Sequence, residues 1–166
     1  EDLPSSEQKI ILMSAKGKTF KQSTAKEFAG LKHLIIICGH YEEVDERITE
    51  YVNEEISVGD FITTGGEIPA MLITDTITRL LPGVLKAGVT DHESFSLGDS
   101  ESVFLEYPQY TNPRSYEGQD VPKILLSGDH KKISEWRLNQ AKTKTAIKRP
   151  DLLDKKKAKE REEIPR

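Results

Sequence analysis

Apolar and polar positions change their period block by block along this chain, and each period predicts an element. "KIILMS" (9–14) is a short apolar run of the kind found in a buried strand. In "STAKEFAGL" (23–31), Ala25, Phe28 and Ala29 share one helical face, and Thr24 with Glu27 has the spacing of a capping box. "HLIIIC" (33–38) is a continuous isoleucine-rich run, predicting a strand buried on both faces. "VDERITEYV" (44–52) returns to helical spacing through Val44, Ile48, Tyr51 and Val52, and "ISVGDFI" (56–62) alternates as a strand does. "EIPAMLITDTITRLL" (67–81) predicts a longer helix, with Pro69 in its first turn and Pro82-Gly83 as its stop.

Strand, helix, strand, helix, strand, helix predicts an α/β domain with a largely parallel sheet. Ligands of such sheets bind beyond the carboxyl ends of the strands. Those ends carry "SAKG", "CGHYEE" and "TTGGE", so the glycine-rich stretch "EEISVGDFITTGGEIPAM" (54–71) is one of three loops expected at one edge. Its glycine pair, Gly65-Gly66, fits either a simple turn or a close approach to the backbone. Residues 83–120 lose the periodic pattern and gain turn signals at Gly98-Asp99, Pro108, Asn112-Pro113 and Glu117-Gly118, which predicts a long connection. Then "VPKILLSGDHKKISEWRLNQ" offers Ser127 or Asp129 as the cap of a helix with Ile133 and Trp136 on its apolar face. The closing "DKKKAKEREEIPR" mixes charges without apolar spacing and is expected to fray.

Charge changes this picture more than composition does. Residues 1–122 hold 10 Lys+Arg against 21 Asp+Glu, a balance of -11, whereas residues 123–166 hold 14 against 7, a balance of +7. The acidic body and basic end suggest that the end meets a polyanion, against the plainer alternative of a solvated helix face. A chain of 166 residues is about one domain long and can bury a real core. Its longest apolar run, "LIIIC" (34–38), is far below the roughly 20 residues of a membrane span, so no membrane partner is expected. No basic-then-apolar leader opens the chain and Cys38 is the sole cysteine, which together predict a cytoplasmic, reducing environment.

Several familiar motifs fail. "GKT" (17–19) would need a glycine five positions before Gly17 to form a phosphate loop, and Leu12 stands there. That leaves a nucleotide hydrolase as a distant reading. GxGxxG is absent, and His33, His40, His92 and His130 are too scattered, even with Cys38, for a zinc site; no metal ligands are assigned. Cys38 has no base partner near it in sequence and is expected as a small buried residue. Trp136 on its basic helix fits either base stacking or packing beside Ile133. Lys131, Lys132, Arg137, Lys142, Lys144, Lys148 and Arg149 are candidate phosphate contacts, which position a nucleic acid without reading its sequence.

Taken in order, "ICGHYEEVDERI", "EEISVGDFITTGGEIPAM", "RLLPGVL", "ESF", "LEYPQYTNP", "VPKILLSGDH", "WR" and "RPDLL" resemble the bacterial tRNA (guanine-N1)-methyltransferases. The resemblance runs from about Lys9 to Leu153. It implies a SPOUT-type, trefoil-knotted parallel-sheet domain at 1–83, a linker at 84–120 and a small, basic, tRNA-binding helical region at 121–166. It also implies transfer of a methyl group from S-adenosylmethionine to N1 of guanosine 37, 3′ of the tRNA anticodon, by a homodimer, with Mg²⁺ associated with catalysis. By motif, the donor pocket would take Leu12, Met13 and Ser14 from the first loop and Gly39, Tyr41 and Glu42 from the second. Ser57, Val58, Gly59, Phe61, Ile62, Gly65, Gly66 and Pro69 would complete it from the third.

Guanine N1 carries a proton at neutral pH, so its methylation needs a base, and a cation would stabilise charge developing toward O6. The family's arginine in its R-x-x-P-G-V-L segment matches Arg79. Its aspartate before Ser-Phe is replaced by Glu93 in "DHESF", with Asp91 as the fallback base. The chain departs further at "SAKG", where the family has Ser-Pro-Gln-Gly, and at "GHYEE", where it has Gly-Arg-Tyr-Glu-Gly. It also lacks the leading segment with which family members begin, so a catalytically silent RNA-binding or assembly fragment is the alternative expectation, beside a related knotted enzyme acting on another RNA.

Overall fold

The computed structural model describes residues 4, 6–41, 44–98 and 102–153. They form two compact units, one running to Ala87 and the other beginning at Gly88. The first is an α/β unit with strands β1 (Gln8–Thr19), β2 (His33–Cys38) and β3 (Glu54–Ser57) and helices α1 (Gln22–Phe28) and α2 (Glu67–Thr78). Its sheet is parallel throughout, in the order β2-β1-β3, as the alternation of elements predicts. Ile11, Met13 and Ile56 from the sheet meet Ala25 and Phe28 of α1 and Ile73 and Ile77 of α2 in one buried cluster. Alternation along β1 leaves Leu12 on the opposite face, also buried.

Several elements differ from the sequence pattern. β1 does not stop at Ser14; Met13 and Lys18 both lie opposite Ile56 of β3, so residues 14–17 bulge out of a strand that then resumes. No capping box forms in α1, which starts at Gln22 after Lys21 with no side-chain cap. Glu27 instead accepts a hydrogen bond from Lys9 Nζ at 2.7 Å, a lysine that Glu54 also holds at 2.7 Å. β2 lies at the sheet edge and Ile35 stays 40% exposed, so the strand is not buried on both faces. The segment read as helix 44–52 is a 3-10 turn, Glu46–Tyr51, with no buried residue, and the strand expected over 56–62 ends at Ser57. α2 ends at Thr78, four residues before Pro82, with Arg79 as its C-cap.

In the second unit, the connection over 83–120 carries more order than its pattern suggests. A 3-10 turn at Thr90–His92 precedes two short hairpins, β4 (Leu97–Gly98) with β5 (Val103–Phe104) and β6 (Ser115–Tyr116) with β7 (Gln119–Asp120). The predicted turn Glu117-Gly118 closes the second with positive φ at both residues (48° and 78°). α3 (His130–Lys148) is capped by Asp129, whose side chain accepts from Lys132 N, while Ser127 bonds within the preceding turn. Ala141 and Thr145 are its buried residues; Ile133 and Trp136 are half-buried. The charged tail after Leu153 lies outside the described residues.

Candidate functional site

A cavity of about 150 Å³ opens at the carboxyl ends of β1, β2 and β3, where ligands of parallel sheets bind. β1 and its bulge contribute Leu12, Met13 and Ser14, and the end of β2 contributes Gly39 and Tyr41. Ser57, Val58, Gly59, Phe61 and Ile62 follow from β3, then Gly65, Gly66 and Pro69 lead into α2. The structure thus brings together thirteen of the residues that motif matching assigns to the donor pocket; Glu42 lies outside the described residues, as does Glu43.

Local bonding fixes these loops. Ser57, buried at the end of β3, donates through Oγ to Gly59 O at 3.0 Å and accepts from Gly59 N at 3.1 Å. Phe61 N then closes on Gly59 O at 2.9 Å, and Thr63 Oγ1 donates to Gly65 O at 2.8 Å. Gly66 N donates to Gly39 O at 2.8 Å, joining the third loop to the second. The glycine pair is present for close approach: neither residue has positive φ, and a Cβ on Gly66 would stand 3.0 Å from Cys38 Cα. Gly17, in the β1 bulge, is as tightly placed, since a Cβ there would overlap the Glu55 backbone. Burial, and then the nearby Glu67 carboxylate, push the Cys38 thiol up in pKa.

Motif matching missed part of the wall. Val44 and Ile48, whose i,i+4 spacing reads as a helix packing face, line the cavity instead. Lys16 and Glu46 pair at 3.3 Å in its wall, which Glu55 and Ile56 also line. The spacing signal was present, but Ile48 lies in the 3-10 turn and Val44 just before it, not on one helix face.

The wall suits a purine nucleoside carrying charged groups. It combines aliphatic side chains, closely approached backbone amides, carboxylates at Glu46 and Glu55, and the Lys16 ammonium. A cavity of this size accepts a single aromatic ring. Tyr41, Phe61 and Ile62 at its rim are 90%, 58% and 83% exposed and would cover the rest of a larger ligand.

The expected catalytic residues fall in different units. Arg79 is half-buried at the end of α2, in the first unit. In the second, Glu93 is half-buried just after the Thr90–His92 turn, where its carbonyl accepts from Ser96 N and Leu97 N, while Asp91 is exposed within that turn. On α3, Trp136 packs near Tyr110 with ring centroids 6.5 Å apart, and Arg137 lies 4.8 Å from the centre of the Tyr107 ring. Lys131, Lys142 and Lys148 are exposed, whereas Lys132 and Arg149 pair with Asp129 and Asp151. Among the described residues, no group of three or more His, Cys, Asp or Glu could hold a metal ion, and no helix is long and apolar enough to cross a membrane.

A family model described as tRNA (guanine-1)-methyltransferase matches residues 1–155. A tRNA (guanine-N(1)-)-methyltransferase of Desulforudis audaxviator is 51% identical over 146 residues, covering 87% of this chain and 57% of the relative. The enzyme so named from Metamycoplasma arthritidis is 51% identical over 162 residues (98% and 68%), and that from Moorella thermoacetica 55% over 146 (87% and 56%). The chain therefore spans about six-tenths of the length of the curated relatives it matches.

Proposed function

The chain belongs to the tRNA (guanine-1)-methyltransferase family, and on that premise we propose that it transfers a methyl group from S-adenosylmethionine to N1 of guanosine 37 in tRNA. One observation carries the reading: the residues that the family motif assigns to the donor converge on a single cavity at the strand ends. The sulfonium of the donor, once bound, supplies an electrophilic methyl carbon. Gly39, Gly59, Gly65 and Gly66 shape the loops that would hold the donor, and Tyr41, Phe61 and Ile62 would shield the reacting centre from water.

Glu93 is the general base of this reading. Its carboxylate would take the N1 proton of guanine as N1 bonds the methyl carbon and the carbon–sulfur bond breaks to leave S-adenosylhomocysteine, while the Arg79 guanidinium would stabilise negative charge developing toward O6. The reading includes the family's homodimer, in which donor and linker carboxylate come from different subunits. The outer face of α2 supports it: Ile68, Met71 and Leu72, at i, i+3 and i+4, are 65%, 66% and 48% exposed while Ile73 and Ile77 are buried. The trefoil knot, the tRNA contact through the basic α3 and a cytoplasmic location belong to the same proposal. Among the described residues, no group of three or more His, Cys, Asp or Glu would hold the Mg²⁺ associated with the family.

Calorimetry with S-adenosylmethionine tests the reading, with Gly65→Val as control. Micromolar binding that the substitution abolishes supports it; a folded chain that binds no donor overturns it. Glu93→Gln should then lower methyl transfer to a tRNA carrying guanosine 37 by on the order of 100-fold or more, with donor affinity unchanged. Donor and tRNA binding without any transfer would favour the silent RNA-binding alternative.

A further inference from the structure

His40 meets Gly65, Glu67 and Tyr41 around the glycine pair yet does not line the cavity. Its Nδ1 lies 2.9 Å from Glu67 Oε1, its backbone pairs with Gly65 in an isolated antiparallel bridge, and its ring meets Tyr41 edge-on with centroids 4.3 Å apart. Glu67 is the first residue of α2. Its own backbone N–H, and then His40, hold its carboxyl below the usual range, so Glu67 is the acceptor and Nδ1–H the donor. The imidazole and carboxylate lie directly over Gly65, where a Cβ would overlap Glu67 Oε2 and stand 2.7 Å from His40 Nδ1. Beneath them runs the bond from Gly66 N to Gly39 O.

We propose that His40, acting through Glu67, is the positioning residue that latches the Thr63–Gly66 segment onto the end of β2 and so holds the donor cavity in shape. The donor half of this inference rests on the function proposed above; the latch itself does not. Three features argue for a latch rather than for general stabilisation. The pair is exposed, at 47% and 55% of the two side chains, and exposed ion pairs add little to global stability. It bridges two loops 27 residues apart in sequence that both line the cavity. Its ring also backs Tyr41, the most exposed aromatic of the rim, so its removal frees both the floor and the lip.

The test is a double-mutant cycle of His40→Ala and Glu67→Ala on the full chain, with His40→Arg as rescue. Each single substitution should weaken S-adenosylmethionine binding roughly tenfold with the melting temperature unchanged, and the double should be no weaker than either single. Arginine, which keeps a donor for the Glu67 carboxylate, should restore most of the affinity. Hydrogen exchange at the Gly66 amide reads the latch without any donor: protection should fall in His40→Ala and return in His40→Arg. Unchanged protection in His40→Ala overturns the latch. Lost protection with unchanged donor affinity overturns its role in the cavity. A wild-type chain that binds no donor overturns the proposed function instead, and exchange at Gly66 then decides the latch alone.

Discussion

At the scale of single residues, the glycines of the cavity are explained by what sits where a Cβ would be. Sequence reading left two reasons for Gly65-Gly66, a turn or a close approach, because both leave the same letter in the chain. The backbone decides for close approach, by protein atoms of Cys38, His40 and Glu67. Gly17 carried no such hint, since its "GKT" context points toward a phosphate loop that Leu12 excludes. Its substitution by alanine would push the Glu55 backbone away from β1, and should destabilise the chain by about 1–3 kcal/mol or more in chemical denaturation. A neutral Gly17→Ala would mean that the bulge packs less tightly than described. Asp45 offers a test in pH. Hydrogen bonds from the Arg47 side chain, then from its backbone N–H, lower the Asp45 carboxyl from 3.8 to about 2. The folded value lies below the unfolded one, so this contribution is complete above pH ~4 and is lost as the pH falls toward 2. NMR titration should place the Asp45 midpoint near 2, and Asp45→Asn should remove that part of the acid-side loss; a midpoint near 4 would deny the bonds.

Among the elements, the strands were legible in the first unit and their edges were not. Apolar runs predict β1, β2 and a parallel sheet because burial dictates them, but nothing local says that β2 is an edge or that β1 resumes after its bulge. The capping box failed because α1 starts at Gln22, which puts Thr24 inside the helix, and the Glu27 carboxylate bonds Lys9 instead. The order within 90–120 was illegible because two-residue strands hold too few positions to show a period. The residue that follows β5, Leu105, is pinned by a bond that no pattern announces. Thr145, fully buried on α3, donates through Oγ1 to Ala141 O at 2.7 Å and accepts from Leu105 N at 2.8 Å. Thr145→Val keeps the shape but leaves the Leu105 amide without its acceptor, which should cost about 1–3 kcal/mol in denaturant unfolding. Thr145→Ser keeps the hydroxyl and should recover the bonded part. If valine matched threonine, the Leu105 amide would have to be solvated rather than held by the helix.

Across the whole molecule, the residues that line the cavity were named through family motifs, whereas charge alone left the basic end open between a polyanion contact and a solvated face. Residues 1–122 balance to -11 and residues 123–166 to +7, and an acidic body repels the same polyanion that a basic helix attracts. Binding of tRNA should therefore be carried by a few cations and depend steeply on salt. Lys131, Lys142 and Lys148 are exposed on α3, and among the described residues none has its ammonium paired with a carboxylate, whereas the Lys132 and Arg149 side chains are paired. Each cation that neutralises a phosphate releases counterions and adds about 0.7–0.9 to the slope of log affinity against log salt. Replacing all three with glutamine should lower that slope by about 2 to 3 units and weaken binding alike for tRNAs with and without guanosine 37, because phosphate contacts position without reading sequence. Donor binding, proposed above for the other unit, should be untouched. A triple variant with the wild-type slope would show that α3 is only a solvated face, and would move the search for the tRNA contact to the linker.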